Sequence, residues 1–206
     1  TSGIVYGDRM TTIDAACNSF GQTINVYMMQ MMAAYCSIIN GGMLYQPHIV
    51  KRIESANGEV VKEYKANLVR QTITASTSKL LRRYLKNTVE EGTAKKAGVT
   101  GYSVAGKTGT AQKGDRKDNK WIKSFIGHAP AENQKFAIYV VIDEPYGTTG
   151  TSGSSADVLT LTHNILEKLL PYMNVYKDAS DEYEDTSSSP DELTVDGIPA
   201  GTASSN

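Results

Sequence analysis

Lys107-Thr108-Gly109-Thr110 is the stretch of this 206-residue chain best equipped for chemistry. It sits between Val104-Ala105-Gly106 and Ala111-Gln112, in a pattern that reads as a β-strand. Lys107 supplies a cation that can meet a carboxylate or tune a neighbouring hydroxyl. Thr108 and Thr110 stand two residues apart, so a strand presents both hydroxyls on one face. Gly109, between them, withholds a side chain where a ligand backbone must come close. A strand at the edge of a cleft can also offer its unpaired backbone groups to an extended peptide. The plainer alternative is an ordinary strand with a glycine bulge.

Other reactive residue types are thinly spread. Cys17 and Cys36 could form one disulfide, although Cys36 lies in an apolar helical pattern that suits a free buried thiol. Neither has the Cys/His neighbours of a zinc site, and His48, His128 and His163 are far apart and read as structural or surface residues. No metal or organic cofactor is implied. The net charge of −1 conceals an asymmetry. Residues 178–206 hold eight acids and no Lys or Arg; taking these from the 22 acids leaves 14 against 21 bases in residues 1–177, a net of +7. No basic run is interleaved with aromatics, which argues against nucleic acid as a partner. No apolar run approaches the ~20 residues of a membrane-spanning helix, and Thr1-Ser-Gly-Ile-Val-Tyr6 has neither region of a signal peptide.

The elements that must position the tetrapeptide follow from periodicity. Residues 26–40 are apolar almost all round, which predicts a buried helix rich in methionine core filling, ended by Gly41-Gly42. Residues 48–53 and 59–64 flank Asn57-Gly58, a tight-turn pair, and predict a hairpin. Residues 76–91 show helical spacing, with Ser76 or Thr77 as cap and Gly92 beyond the end. Strands are expected over 103–112, 121–129 and 135–143, the last two joined by a short turn that suits antiparallel neighbours. A Gly/Thr/Ser loop over 147–155 leads to a helix from about Ala156 to Leu170. The acidic, Ser/Thr/Pro-rich segment 178–206 is expected to be a disordered tail after a domain portion over 1–177.

K-T-G accompanies S-x-x-K and S-D-N in serine β-lactamases and penicillin-binding proteins. An ordered series surrounds it here: Phe20-Gly-Gln22, Gln30-Met-Met-Ala-Ala-Tyr35, Asn40-Gly-Gly42, Glu91-Gly-Thr-Ala94, Phe125-Ile-Gly-His-Ala-Pro130 and Val140-Val-Ile-Asp-Glu-Pro145. With these, residues 3–173 resemble the C-terminal half of the transpeptidase domain of class B penicillin-binding proteins. The resemblance implies an α+β fold, an antiparallel sheet flanked by helices, with about three sheet strands and a peripheral hairpin in this chain. It implies a serine-type D,D-transpeptidase that binds β-lactams and cross-links peptidoglycan stem peptides ending in D-Ala-D-Ala. The intact protein would be anchored in the cell membrane by an upstream segment, face outward, and work with division or elongation proteins. Lys107 would be the third-motif lysine, Thr108, Gly109 and Thr110 would bind substrate, and the Thr110 N–H would donate to the oxyanion, worth about 3–4 kcal/mol in the transition state.

The nucleophile is not identified in this chain. Ser76-Thr-Ser-Lys79 fits S-x-x-K as a string, but falls where the family has an ordinary capped helix and too near Lys107. Ser55-Ala-Asn57 falls in the hairpin turn, and Ser204-Ser-Asn206 in the tail. The catalytic Ser, its Lys and two sheet strands are therefore expected upstream, and this chain alone is expected to be inactive. Tyr27-Met28 replaces a usual Thr-Pro, moving the expected helix cap to Asn25, and His128 replaces a frequent Phe. Three rival functions share the tetrapeptide: a β-lactam sensor or β-lactamase, a non-catalytic division or cell-wall scaffold, and a non-covalent peptide-binding module.

Overall fold

The computed structural model describes residue 3 and residues 7–114, 117, 120–145 and 155–177. The expected tail over 178–206 and most of the loop over 147–155 lie outside these residues.

The chain enters through a 3₁₀ turn, Gly7–Arg9, and helix α1, Thr12–Asn18. Thr11 and Asp14 form a reciprocal cap: the Asp14 N–H donates to Thr11 Oγ1 at 3.2 Å, and the Thr11 N–H donates to the Asp14 carboxylate at 2.9 Å. The Thr11 hydroxyl also donates to the Asp14 carboxylate, at 2.7 Å, and with the Thr11 N–H it holds that carboxyl below its usual range. Helix α2, Met28–Ile39, follows. Its cap differs from the expected Asn25. Tyr27 occupies the N-cap, and Gln30 Oε1 accepts from the Tyr27 N–H at 2.9 Å, so the back-bond comes from inside the first turn.

The next segment contains two small antiparallel sheets. Strand β1, Met43–Tyr45, pairs with β4, Leu68–Gln71, while β2, Arg52–Glu54, pairs with β3, Val60–Glu63. The hairpin turns at Gly58, whose φ of 82° lies in the left-handed region that glycine tolerates. The β1–β4 pair, which sequence patterning did not anticipate, brings this excursion back to the body. Helix α3, Ala75–Glu90, is capped by Thr74, whose Oγ1 accepts from the Thr77 N–H at 3.2 Å. The cap thus precedes the expected Ser76 or Thr77.

A 3₁₀ turn, Lys95–Ala97, leads into the main sheet. Strands β5, Ala105–Lys113, β6, Lys120–Ala129, and β7, Phe136–Asp143, form an antiparallel meander in the order β5-β6-β7. Helix α4, Ser155–Tyr172, closes the described chain apart from its last few residues. The core lies between α4 and one face of this sheet. Phe125 and Val140, opposite each other in the β6–β7 register, pack in one cluster with Val158, Leu166 and Leu170. Val89, Ala94 and Ala97 extend the cluster under the end of α3.

Helix α2 departs from its expected all-round burial. Tyr35, Ser37 and Ile39 are buried, but Met28 and Met29 are 51% and 58% exposed. The helix packs on β1, α3 and β7, and its first turn is left more exposed than its end. Phe20 and Ile24, just ahead of it, are also exposed. Cys17 and Cys36 are free and half-buried, and burial pushes the Cys36 thiol upward.

Candidate active site

All four residues of the tetrapeptide lie on β5, an outer strand of the meander. Its other side pairs with no strand among the described residues. Lys107 and Thr110 are exposed, and Thr108 and Gly109 are half-buried. The edge therefore presents a cation and two hydroxyls, and no strand among the described residues takes up its outer backbone groups.

Register sorts these groups by face. Opposite residues on paired strands share a face. Lys107 pairs with Ile126, Gly109 with Ser124 and Ala105 with His128, so Lys107 and Gly109 share a face with Ser124 and His128. Thr108 pairs with Phe125 and Thr110 with Lys123, which puts both threonines on the other face, as their spacing predicts. The Lys107 ammonium curls back along the edge. Its Nζ donates to the Thr108 carbonyl at 3.0 Å and reaches Thr108 Oγ1 at 3.5 Å. A cation thus bridges to the hydroxyl face around the free edge.

The glycines of this strand have structural causes. A Cβ on Gly109 would fall 2.4 Å from Ser124 Oγ, so the residue is small partly because a side chain of β6 already fills its place. A Cβ on Gly106 would meet Phe125 Cζ at 2.3 Å, and one on Gly127 would meet Phe125 Cε1 at 2.5 Å. Phe125 lies across this glycine pair and sets the entry to β5. At the far end, an ion cluster spans the sheet. Lys113 of β5 meets Asp143 at 2.8 Å and Glu144 at 2.9 Å, and Lys120 of β6 meets Glu144 at 3.6 Å. The hydrogen bonds to Asp143 and Glu144 raise the Lys113 ammonium, and the bond from Lys113 lowers the Glu144 carboxyl.

One neighbour of the tetrapeptide was not singled out from sequence. Thr93 Oγ1 lies 3.4 Å from Thr108 Oγ1 and is exposed, so the link between α3 and β5 adds a third hydroxyl to the edge. Its signal was the Glu91-Gly-Thr-Ala94 block, whose relation to β5 is a tertiary one. The serine strings set aside above have structural roles. Ser78 is fully buried; its Oγ donates to the Ile38 carbonyl at 2.6 Å and accepts from the Gly41 N–H at 3.0 Å, closing the end of α2. Ser76 Oγ bonds Thr74 Oγ1 in the cap of α3. Ser55 Oγ accepts from the Glu59 N–H in the β2–β3 turn. Ser204 lies outside the described residues.

An open groove of about 460 Å³ runs between α2 and the β1–β4 pair, lined by Met29, Ala33, Leu44, Val69 and Arg70 among others; no residue of the tetrapeptide lines it. No group of three or more His, Cys, Asp or Glu suited to a metal ion occurs among the described residues, and no described helix is long and apolar enough to cross a membrane.

The penicillin binding protein transpeptidase domain matches residues 2–167. The chain is 38% identical over 179 residues to stage V sporulation protein D of Bacillus subtilis, covering 84% of this chain and 27% of that protein. It is 33% identical over 167 residues to a probable peptidoglycan D,D-transpeptidase PenA of Neisseria flavescens, covering 77% and 39%. Among solved structures it resembles penicillin binding protein 3 of Mycobacterium tuberculosis complexed with ampicillin, with a TM-score of 0.76 and 29% identity over 88% of this chain and 43% of that one. The chain thus spans between about a quarter and two fifths of the length of these curated relatives.

Proposed function

This chain belongs to the penicillin-binding protein transpeptidase family, and from that premise we propose that it is the K-T-G-bearing part of a peptidoglycan D,D-transpeptidase. The observation that carries this reading is the placement of Lys107-Thr108-Gly109-Thr110 on the free edge of β5, with the Lys107 ammonium wrapped to the Thr108 hydroxyl.

The chemistry follows from what that edge can hold. A stem peptide ending in D-Ala-D-Ala lies along β5 as an added strand. Its terminal carboxylate meets the hydroxyls of Thr108 and Thr110, with Lys107 supplying the opposite charge. A serine from a part of the protein outside this sequence attacks the penultimate D-Ala carbonyl. The Thr110 N–H donates to the oxyanion, D-Ala leaves, and an amine of a neighbouring stem resolves the acyl-enzyme. A β-lactam presents a carboxylate and a strained carbonyl in place of the peptide; the ampicillin complex of the mycobacterial relative supports this part of the reading.

The exposed Phe20, Ile24, Met28 and Met29, all within ten residues of sequence, support the partial-domain reading, because large apolar side chains exposed together are usually covered. The remainder of the transpeptidase domain is the proposed cover. Residues 1–177 then form the C-terminal portion of that domain, and the acidic segment 178–206 a tail. A membrane anchor elsewhere in the protein and a site of action on the outer face of the cell membrane complete the proposal, with division, elongation or sporulation proteins as partners.

Intact mass after penicillin treatment of the complete protein tests this directly. The expected result is one covalent adduct on a serine outside this sequence. Lys107→Ala is expected to slow adduct formation by about 100-fold, the scale of losing an electrostatic contact in the transition state. An adduct on Ser76 would overturn the assignment, and the absence of any adduct would favour a scaffold or non-covalent binding role.

A further inference from the structure

The face of the main sheet that carries Lys107 also carries a buried histidine with no part in the chemistry above. His128 is fully buried on β6, opposite Ala105, two residues along β5 from Lys107. Its two ring nitrogens are both engaged. Nε2 lies 3.1 Å from the Ala131 carbonyl, and Nδ1 lies 2.8 Å from the Tyr35 hydroxyl of α2. A carbonyl accepts only, so Nε2 carries a proton, and in the neutral ring Nδ1 accepts from the Tyr35 O–H. Burial favours the neutral ring, and the ring links three pieces of structure: α2, the β6 strand that supports β5, and the turn after Ala129.

We propose that Tyr35 and His128 form a positioning pair, an acid-labile latch that seats helix α2 on the Lys107 face of the sheet and keeps the start of β5 in place for its ligand. The proposal rests on the transpeptidase reading for its functional half, and on geometry alone for its structural half. Protonation would turn Nδ1 into a donor, so the Tyr35 hydroxyl would have to turn and accept from it, leaving its own buried O–H without this acceptor. It would also leave a charge in a site with no carboxylate hydrogen-bonded to the ring. The charged groups around the ring are few. Arg82 of α3 opposes the imidazolium and Glu132 of the turn favours it, while Tyr35 of α2 is neutral. The directly opposed residues on β5 and β7 are Ala105 and Ala137. Burial is the largest influence and pushes the ring down to about 4 from 6.5. Because the folded form resists protonation, the unfolded chain binds the extra proton first. Stability from this site is complete above pH 6.5 and is lost as pH falls towards 4.

Two variants of the complete protein test the latch. His128→Gln keeps an amide donor and a carbonyl acceptor but does not titrate. Tyr35→Phe removes only the hydroxyl that holds Nδ1 as an acceptor, so it serves even where His128→Gln folds poorly. Melting temperatures are followed from pH 7.5 to 4.5. The expected wild-type loss over this range shallows in His128→Gln, and in Tyr35→Phe it still begins near pH 6.5 but is smaller and ends at higher pH, because the folded ring takes its proton more readily without the hydroxyl. Parallel curves for all three proteins would overturn the latch. Labelling by a fluorescent penicillin at pH 7.5 reads the positioning half. Tyr35→Phe is expected to be labelled about fivefold more slowly, the equivalent of one buried hydrogen bond, with His128→Gln near the wild-type rate. Equal rates in wild type and Tyr35→Phe would overturn the positioning role. A wild type that takes no covalent label fails the acyl-transfer reading instead, and divergent melting curves would then still support the latch.

Discussion

Gly106, Gly109 and Gly127 look alike in sequence but answer to different neighbours. A methyl on Gly127 would meet the Phe125 ring at 2.5 Å and the Ala105 carbonyl at 2.7 Å, and the backbone group cannot step aside. Gly127→Ala is therefore expected to cost about 1–3 kcal/mol, as overpacked cores do, measured by denaturant unfolding. A methyl on Gly109 would meet one hydroxyl, Ser124 Oγ, which can rotate. Gly109→Ala should cost clearly less, and the Gly109→Ala/Ser124→Ala double variant should recover most of the loss. Equal losses for Gly127→Ala and Gly109→Ala would contradict this account. The two threonines of the tetrapeptide illustrate the same dependence on context. Their shared face follows from spacing alone, whereas the third hydroxyl beside them, Thr93, is brought there by the turn after α3.

The elements around the sheet are held by caps as much as by propensity. Thr74 closes the start of α3, and Thr74→Ala is expected to lower stability by about 1 kcal/mol. Ser78, one turn further on, closes a different helix. It joins the Ile38 carbonyl and the Gly41 N–H at the end of α2, beside Arg82 and Gln134, which both donate to the Ile39 carbonyl, at 2.8 Å and 2.7 Å. Ser78→Ala would strip a half-buried carbonyl and N–H of their fully buried partner and is expected to cost about 1–3 kcal/mol, more than the loss of the exposed cap. Urea unfolding of the two variants in the complete protein decides the order; a larger loss in Thr74→Ala would mean that water replaces Ser78.

For the whole molecule, the half-exposed first turn of α2 is the feature with the largest consequence. If the rest of the transpeptidase domain covers it, Met28 and Met29 in the complete protein should resist peroxide, while in the 206-residue chain alone they should oxidise readily. Peptide mass spectrometry after timed peroxide exposure reads both. Equal oxidation in the two proteins would show that the patch stays open and would remove one support for the partial-domain proposal.

Much of this protein is decided locally. The alternation from Trp121 to Ala129 and from Lys135 to Asp143, with the short link between them, is enough to specify two antiparallel strands, because a pleated strand has a fixed period and a short turn admits one pairing direction. Asn57-Gly58 places the hairpin for a similar reason: its backbone prefers the turn that the chain adopts. The tetrapeptide, too, is legible as a string, since its spacing sets which side chains share a face. Tertiary structure decided what those strings could not contain. That β5 is an outer strand depends on which strand pairs with which. That α2 is buried only towards its end depends on which elements reach it. The burial that pushes the His128 ring down depends on elements far away in sequence, among them α2, whose Tyr35 lies 93 residues away and meets the ring at 2.8 Å. Each of these is set by contacts distant in sequence, where periodicity, capping and turn chemistry carry no information.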